Sequence, residues 1–420
     1  MTEQLTVDLF GQPIGTLAVP GSSPYPEDWT FSYGSDYLAS KVPLPLSVAL
    51  PLRPEPYVGA VVRNWFCNLL PEGAVREAVV TRMRIPARDD FALLAAIGGE
   101  CAGAVSIRDR ETPRVDRRDD ETDLETLLRQ QGEELGDGAW ALLGTPLRLS
   151  LAGAQDKIAV IAEPGERLRL PAPGESSTHI LKPDSSKFRG LRDLEALGLA
   201  LARAVGLNAV RARPIGFANR AALLIERYDR QPGAAAVRRL HQEDFCQALG
   251  YPAELKYESQ GGPGLAACST LIRRLGLGPV AVQALLDWVV FNALMGNADA
   301  HGKNLALLMD PAGQFQLAPF YDLVPTLVLP ERLVDRTPAL RIGAARRIDE
   351  IRADDWRQFA REAGYAPNFV LKRVAEIGRS ILDRLQTTGA ALIEQGCDAS
   401  RMHQAANIIR SNVERIRDVR

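Results

Sequence analysis

The first hundred residues alternate. In "LTVDLFGQPIGTLAV" the apolar side chains recur at every second position and break at Pro/Gly turns, which predicts short half-buried strands. "PLSVALPL" reads the same way, and "NWFCNLL" is a short helix. A second β-rich block follows in "LSLAGAQDKIAVIA", "HILKPD" and "RARPIGFANRAALLIERYDR". Inside it lies one helical pattern, "LRDLEALGLALARAVGLN", with Leu194, Leu197, Leu201 and Val205 on one stripe and Gly206 as its terminator. From about residue 236 the period becomes helical. In "NFVLKRVAEIGRSILDRL", Val370, Val374, Ile377, Ile381 and Leu385 share a face. The pattern predicts an α+β protein with a β-rich N-terminal lobe, a mainly α-helical C-terminal lobe and a cleft between them. The expected divisions are 1–108 (a β-rich subdomain), 109–138 (a charged, solvated linker with one exposed helix), 139–235 (a β-rich core) and 236–420 (the helical lobe).

Composition narrows the class. The chain has 420 residues, enough for two or three packed units, and a net charge of −2. Bulk charge therefore gives no reason to expect direct nucleic-acid or anionic-membrane binding. The five cysteines are scattered without a CxxC spacing, which predicts free thiols in a reducing compartment. The start "MTEQLTVDLFGQPIG" lacks the basic and apolar regions of a signal peptide. The longest apolar stretch, "VAVQALLDWVVFNALM", is short for a bilayer span and contains Asp287 and Asn292. A cytoplasmic protein without membrane attachment is expected.

The candidate chemistry sits where this apolar stretch ends, in "GNADAHGKNLALLM". Asp299 and Asn304 stand five apart on a loop. "LALLM" then reads as a strand, "DPAG" as a turn and "QFQLAPF" as the returning strand, which ends at Asp322. A hairpin brings its ends together, so Asn304 and Asp322 should be neighbours. Two oxygen ligands with a carboxylate one loop away suit Mg²⁺, which takes a few protein oxygens plus water and phosphate. D-x₄-N, a strand pair and a second Asp is also the layout of a protein-kinase-like site. The plain alternative is a polar loop with an Asx turn and a cap.

A kinase site also needs a cation held by a carboxylate. "THILKPD" places Lys182 at the end of a short strand, and Glu195 on the next helix flanks the apolar stripe and should point partly inward. Two surface charges are the alternative. The turn in "LSLAGAQDK" could offer backbone N–H groups from Ala152, Gly153, Ala154 and Gln155 to phosphates, or could be an ordinary tight turn. "IERYDR" is either a hinge that meets an adenine edge or a strand end with mixed charges.

Together these segments resemble the HipA family of serine/threonine kinase toxins. The matching stretches are "LSLAGAQDK", "STHILKPD", "ERYDR", "HQEDFCQALG", "KYESQGGPG", "NADAHGKN" and "PFYD", in the family's order, with "PLSVALPL", "FCNLLPE" and "LLAAIGGECAGAVSI" upstream. The resemblance implies an atypical two-lobed protein-kinase-like fold using ATP and Mg²⁺. Asp299 would be the catalytic Asp, with His301 and Lys303 organising its loop and Lys303 within reach of the γ-phosphate. Asn304 and Asp322 would hold the metal. Residues 152–155 with Lys157 would form the phosphate loop, Lys182 (with Glu195) would contact phosphates, and Glu226 and Tyr228 would lie at the adenine hinge. Ser150 matches the family's autophosphorylated serine, and about two added negative charges there would oppose an anionic nucleotide. The catalytic loop reads D-A-H-G-K-N where the family pattern is D-G-H-A-K-N, and Tyr228 stands for a common Phe.

The resemblance further implies a target in translation of the aminoacyl-tRNA synthetase type, growth arrest, and a helix-turn-helix antitoxin through which operator DNA is reached. Two rival readings are a small-molecule phosphotransferase and a catalytically silent co-repressor. The joint presence of Asp299, Asn304 and Asp322 weighs against the silent one.

Overall fold

The structure is a computed structural model. It describes residues 2–20, 25–109, 124–125, 155–165, 167–172, 174–185, 188–217, 220–233 and 237–417. Ser150, Ala152, Gly153 and Ala154 lie outside them.

The N-terminal strands are β1 (Thr2–Leu9), β2 (Gln12–Pro20), β3 (Thr30–Tyr33), β4 (Tyr57–Val58) and β5 (Val105–Asp109). They form an antiparallel sheet in the order β4-β3-β2-β1-β5. The alternation in the sequence decides its faces: Leu5, Val7 and Leu9 are buried with Ile14, Leu17 and Val19. Three helices, Ala60–Cys67, Gly73–Met83 and Asp90–Ile97, pack onto it through Trp65, Phe66, Val79, Leu93 and Leu94, making a core of its own.

The second sheet contains β6 (Ile158–Ala162), β7 (Leu168–Arg169), β8 (His179–Pro183), β9 (Ala212–Phe217) and β10 (Arg220–Glu226), in the order β7-β6-β8-β10-β9. The helix Leu191–Ala204 covers one face with the predicted stripe, and Gly206 ends it with a φ of 88°. The other face packs on Leu124, which is fully buried among Ile158, Val160, Leu181 and Leu224. Leu124, in the segment expected to be a solvated linker with one exposed helix, is thus buried against the sheet.

After a short ladder, β11 (Arg230–Gln231) with β12 (Arg238–Arg239), come β13 (His241–Asp244), β14 (Ala306–Met309) and β15 (Phe315–Leu317), which form a three-stranded sheet. The rest is helical. Gly278–Met295 is the central helix, buried on nearly every side by Leu265–Arg274, Pro367–Glu394 and Ala399–Arg417. At 18 residues it exceeds the stretch read from sequence and is long and apolar enough, by length and composition, to cross a bilayer. Here it is a core helix, and its Asp287 accepts a 2.9 Å hydrogen bond from Arg373. All five cysteines are buried and free.

Candidate active site

The predicted hairpin exists. The central helix ends at Gly296, whose φ of 77° turns the chain out of it. Residues 297–305 form a loop with one short 3₁₀ turn at Gly302–Asn304, and β14 and β15 then carry the chain out and back. Asn304 and Asp322 meet as expected: Asn304 Nδ2 donates to Asp322 Oδ2 at 3.1 Å. The Asn304 Oδ1 accepts from the His301 backbone N–H at 3.0 Å, fixing the amide. Asp322 has a φ of 57°, a left-handed conformation that Asp tolerates better than most residues and that aims its carboxylate into the cleft.

Lys182 joins this centre from the second sheet. Its Nζ donates to Glu195 Oε1 at 2.7 Å and to Asp322 Oδ1 at 3.2 Å. Burial would strip its proton, but Asp322 and Glu195 more than offset that and hold it charged. Glu195 is therefore the inward-pointing carboxylate its position on the stripe implied. Gly198, one helical turn on, explains the close approach. A Cβ there would lie 1.9 Å from the carbonyl oxygen of Leu323, so only glycine lets this helix touch the backbone beside Asp322.

Asp299 is exposed to the cleft. Its Oδ1 accepts from the Tyr257 hydroxyl at 2.7 Å and its backbone N–H donates to Asn297 Oδ1 at 3.1 Å. Desolvation in the cleft and the nearby Asp322 raise its pKa against the lowering effect of the Tyr257 hydrogen bond. Asp322 behaves oppositely. Burial would raise it, yet Lys182 and Lys157 hold it down to about 2. Two carboxylates in one cleft are thereby split into a firmly ionised anion and a more basic partner, the division of labour that metal holding and proton acceptance require.

The remaining predicted residues are placed as follows. His301 is buried, with its ring edge-to-face on Tyr257 at 5.3 Å; burial, with Lys256 nearby, pushes it down to about 3, so it is neutral at pH 7. Lys303 lines the cleft, in the loop it was expected to organise. Its Nζ donates to Glu72 Oε1 at 2.8 Å and approaches the Asn68 carbonyl oxygen at 3.5 Å. A buried cation takes the nearest carboxylate, and here that comes from the N-terminal unit. Lys157 and Gln155 line the cleft, and burial beside Lys182 lowers Lys157 to about 8. Glu226, at the end of β10, and Tyr228 also line it, with Tyr228 stacked on Tyr321 at 5.6 Å. The Gly302 of the D-A-H-G-K-N loop has a packing reason. A Cβ there would fall 2.6 Å from Pro263 Cγ.

These side chains surround one cleft of about 1320 Å³. Sequence reasoning missed Glu72, Lys256, Tyr257 and Tyr321, which also line it. Tyr321 donates to the Lys303 carbonyl oxygen at 2.6 Å and so pins the loop from the segment that follows β15. Tyr257 and Lys256 lie in "KYESQGGPG", a stretch singled out without a role. A magnesium ion fits this donor set. Asp322 is ionised and partly open to the cleft, Asn304 keeps a second lone pair on Oδ1, and Mg²⁺ needs only one or two protein carboxylates when phosphates supply the rest.

Comparison with known proteins gives a consistent result. Residues 149–386 match the model of the HipA-like C-terminal domain, and residues 5–108 match that of the HipA N-terminal domain. The chain is 36% identical to "Putative kinase Y4mE" of Sinorhizobium fredii over 93% of this chain and 94% of that one. It is 33% identical to the serine/threonine-protein kinase toxin HipA of Shewanella oneidensis over 67% and 66% of the two chains. In three dimensions it is similar to a chain of the solved complex of Shewanella oneidensis HipA, HipB and operator DNA, with a TM-score of 0.82, 27% identity, and 99% and 100% of the two chains covered.

Proposed function

The chain belongs to the HipA family of kinase toxins, and from that premise we propose that it transfers the γ-phosphoryl group of ATP to a serine or threonine hydroxyl of a protein. The observation that carries this reading is the convergence of Asp299, Asn304, Asp322 and Lys182 on one cleft. Bound magnesium would offset phosphate charge in that cleft. Asn304 and Asp322 would hold it. Lys182, kept charged by Glu195, binds phosphate oxygens, and Lys157 adds a second cation. Asp299 orients the acceptor hydroxyl and takes its proton as the oxygen bonds to phosphorus. The bond from phosphorus to the bridging oxygen breaks, and ADP leaves. Tyr257 holds the Asp299 carboxylate in place for that step. Glu226 and Tyr228 serve the adenine end.

The volume of the cleft supports a protein acceptor. It exceeds the roughly 300–1,000 Å³ of a small-molecule site, leaving room for a chain segment beside a nucleotide. On family grounds the target is a translation protein of the aminoacyl-tRNA synthetase type, and Ser150 is a site of inhibitory self-phosphorylation. The solved relative is a toxin in complex with HipB and operator DNA. A helix-turn-helix antitoxin that carries this chain to DNA is the corresponding partner here, in keeping with the net charge of −2. The test is phosphosite mapping by mass spectrometry after incubation with Mg·ATP, alone and with cell lysate. Phosphate on Ser150 and on a lysate protein is expected. Transfer to a metabolite in place of any protein would refute the proposal.

A further inference from the structure

We propose that Glu72, supplied by the N-terminal unit, is a positioning residue for this phosphoryl transfer: its carboxylate spans Lys303 and Lys256 and so holds the catalytic loop from both sides. The proposal rests on the kinase reading above and adds to it a condition. The site is complete only when residues 1–108 are docked on the C-terminal lobe.

The geometry begins with where Glu72 stands. It immediately precedes the helix Gly73–Met83, in extended backbone, at the position where a side chain ordinarily caps the helix. It makes no such bond. The carboxylate reaches across to the other unit, Oε1 accepting from Lys303 Nζ at 2.8 Å and Oε2 from Lys256 Nζ at 2.9 Å. Each lysine adjoins a residue of the reaction. Lys303 is the immediate neighbour of Asn304 in the loop that starts at Asp299. Lys256 precedes Tyr257, whose hydroxyl is on Asp299, and its carbonyl oxygen accepts from the Gly302 N–H at 3.3 Å. One carboxylate therefore ties down the chain on both sides of the base.

The segment that leads to Glu72 is itself bonded to the C-terminal lobe. Asn68, four residues before Glu72, donates through Nδ2 to the carbonyl oxygens of Asn64 and Tyr251, and its own carbonyl faces Lys303. The same lobes are pinned at Glu243 of β13, which accepts from Ser47 Oγ, the Val48 N–H and Trp65 Nε1. Residues 47–72 thus touch the C-terminal lobe at two carboxylate clusters, and Glu72 is the one facing the cleft. Lys303 is 8% exposed, and without Glu72 it would be a buried cation facing the cleft without that carboxylate.

The experiment compares wild type with Glu72→Gln, which keeps the shape and deletes the charge. It measures kcat, the KM for ATP, the thermal melt and amide hydrogen exchange of residues 299–304. The expected result is a kcat lower by about 100-fold, as a small misplacement of reacting groups costs, with the KM for ATP within about twofold. Exchange should quicken in 299–304 alone. Unchanged kcat and unchanged loop exchange would overturn the proposal. If Glu72→Gln does not fold, Glu72→Asp carries the test: it should quicken exchange locally and lower kcat, whereas a uniform rise in exchange across the chain would reduce Glu72 to a structural residue and overturn it. A wild-type chain without phosphotransfer would remove the kinase reading, and the exchange measurement would still report whether Glu72 holds the loop.

Discussion

The two walls of the cleft are built in opposite ways. One wall is local: Asn304 and Asp322 meet across 18 positions of chain by one hairpin. The opposite wall is assembled from distant parts. Glu72 reaches Lys303 across 231 positions, and Lys182 reaches Asp322 across 140. Behind it lies a buried ionic cluster in which Glu100 accepts from Arg230 at 2.9 Å and from both the N–H and the hydroxyl of Ser177 at 3.1 and 2.9 Å, while Asp229 binds Arg227 and the Gly103 N–H. On the proposed reading the local wall carries the base and the metal-holding pair. The distant wall carries Lys182 for phosphate and Glu72, which holds the loop, and it joins the N-terminal unit to the rest. Chemistry and assembly should therefore be separable by mutation.

The largest effect is expected at the local wall. Asp299→Asn should cut phosphotransfer by on the order of 10²–10⁴-fold while leaving the melting temperature unchanged, as a melt measured beside the kinetic assay will show. A large fall in melting temperature would mean that this wall is also an assembly element. Glu100→Ala should do the reverse. It leaves Arg227 and Arg230 short of a buried partner, and denaturant unfolding should show a loss of roughly 3–5 kcal/mol. Unchanged stability would make the buried cluster dispensable.

Gly198→Ala lies between the two classes. Its methyl group would press on the Leu323 carbonyl beside Asp322. About 1–3 kcal/mol of stability should be lost, together with kcat, read by the same pair of assays. The smallest effect is a pH dependence. Lys157, lowered to about 8 by burial and by Lys182, carries its charge below that pH and loses it above. kcat/KM for ATP should therefore fall as pH rises through about 8, and Lys157→Met should flatten that limb.

The same contrast explains what the sequence disclosed. Alternation and helical stripes gave the two sheets, the helix Leu191–Ala204 and its Gly206 terminus, because burial of a face imposes a period. The hairpin that joins Asn304 to Asp322 was legible from strand, turn and strand. The partnership of Lys182 with Glu195 followed from an inward carboxylate's need for a cation. Glu72 was not legible. A buried Lys303 demands an anion, but the chain holds 52 acidic residues, and nothing local says which one arrives. The burial of Leu124 was hidden by the charges around it.

Whether one cleft gathers a base and a metal-holding pair for phosphoryl transfer is decided by following ³²P from γ-labelled Mg·ATP into protein, with wild type and Asp299→Asn side by side in cell lysate. Labelled protein is expected with wild type and none above background with the folded variant. Equal labelling by both, or no labelling by either, would contradict the kinase reading.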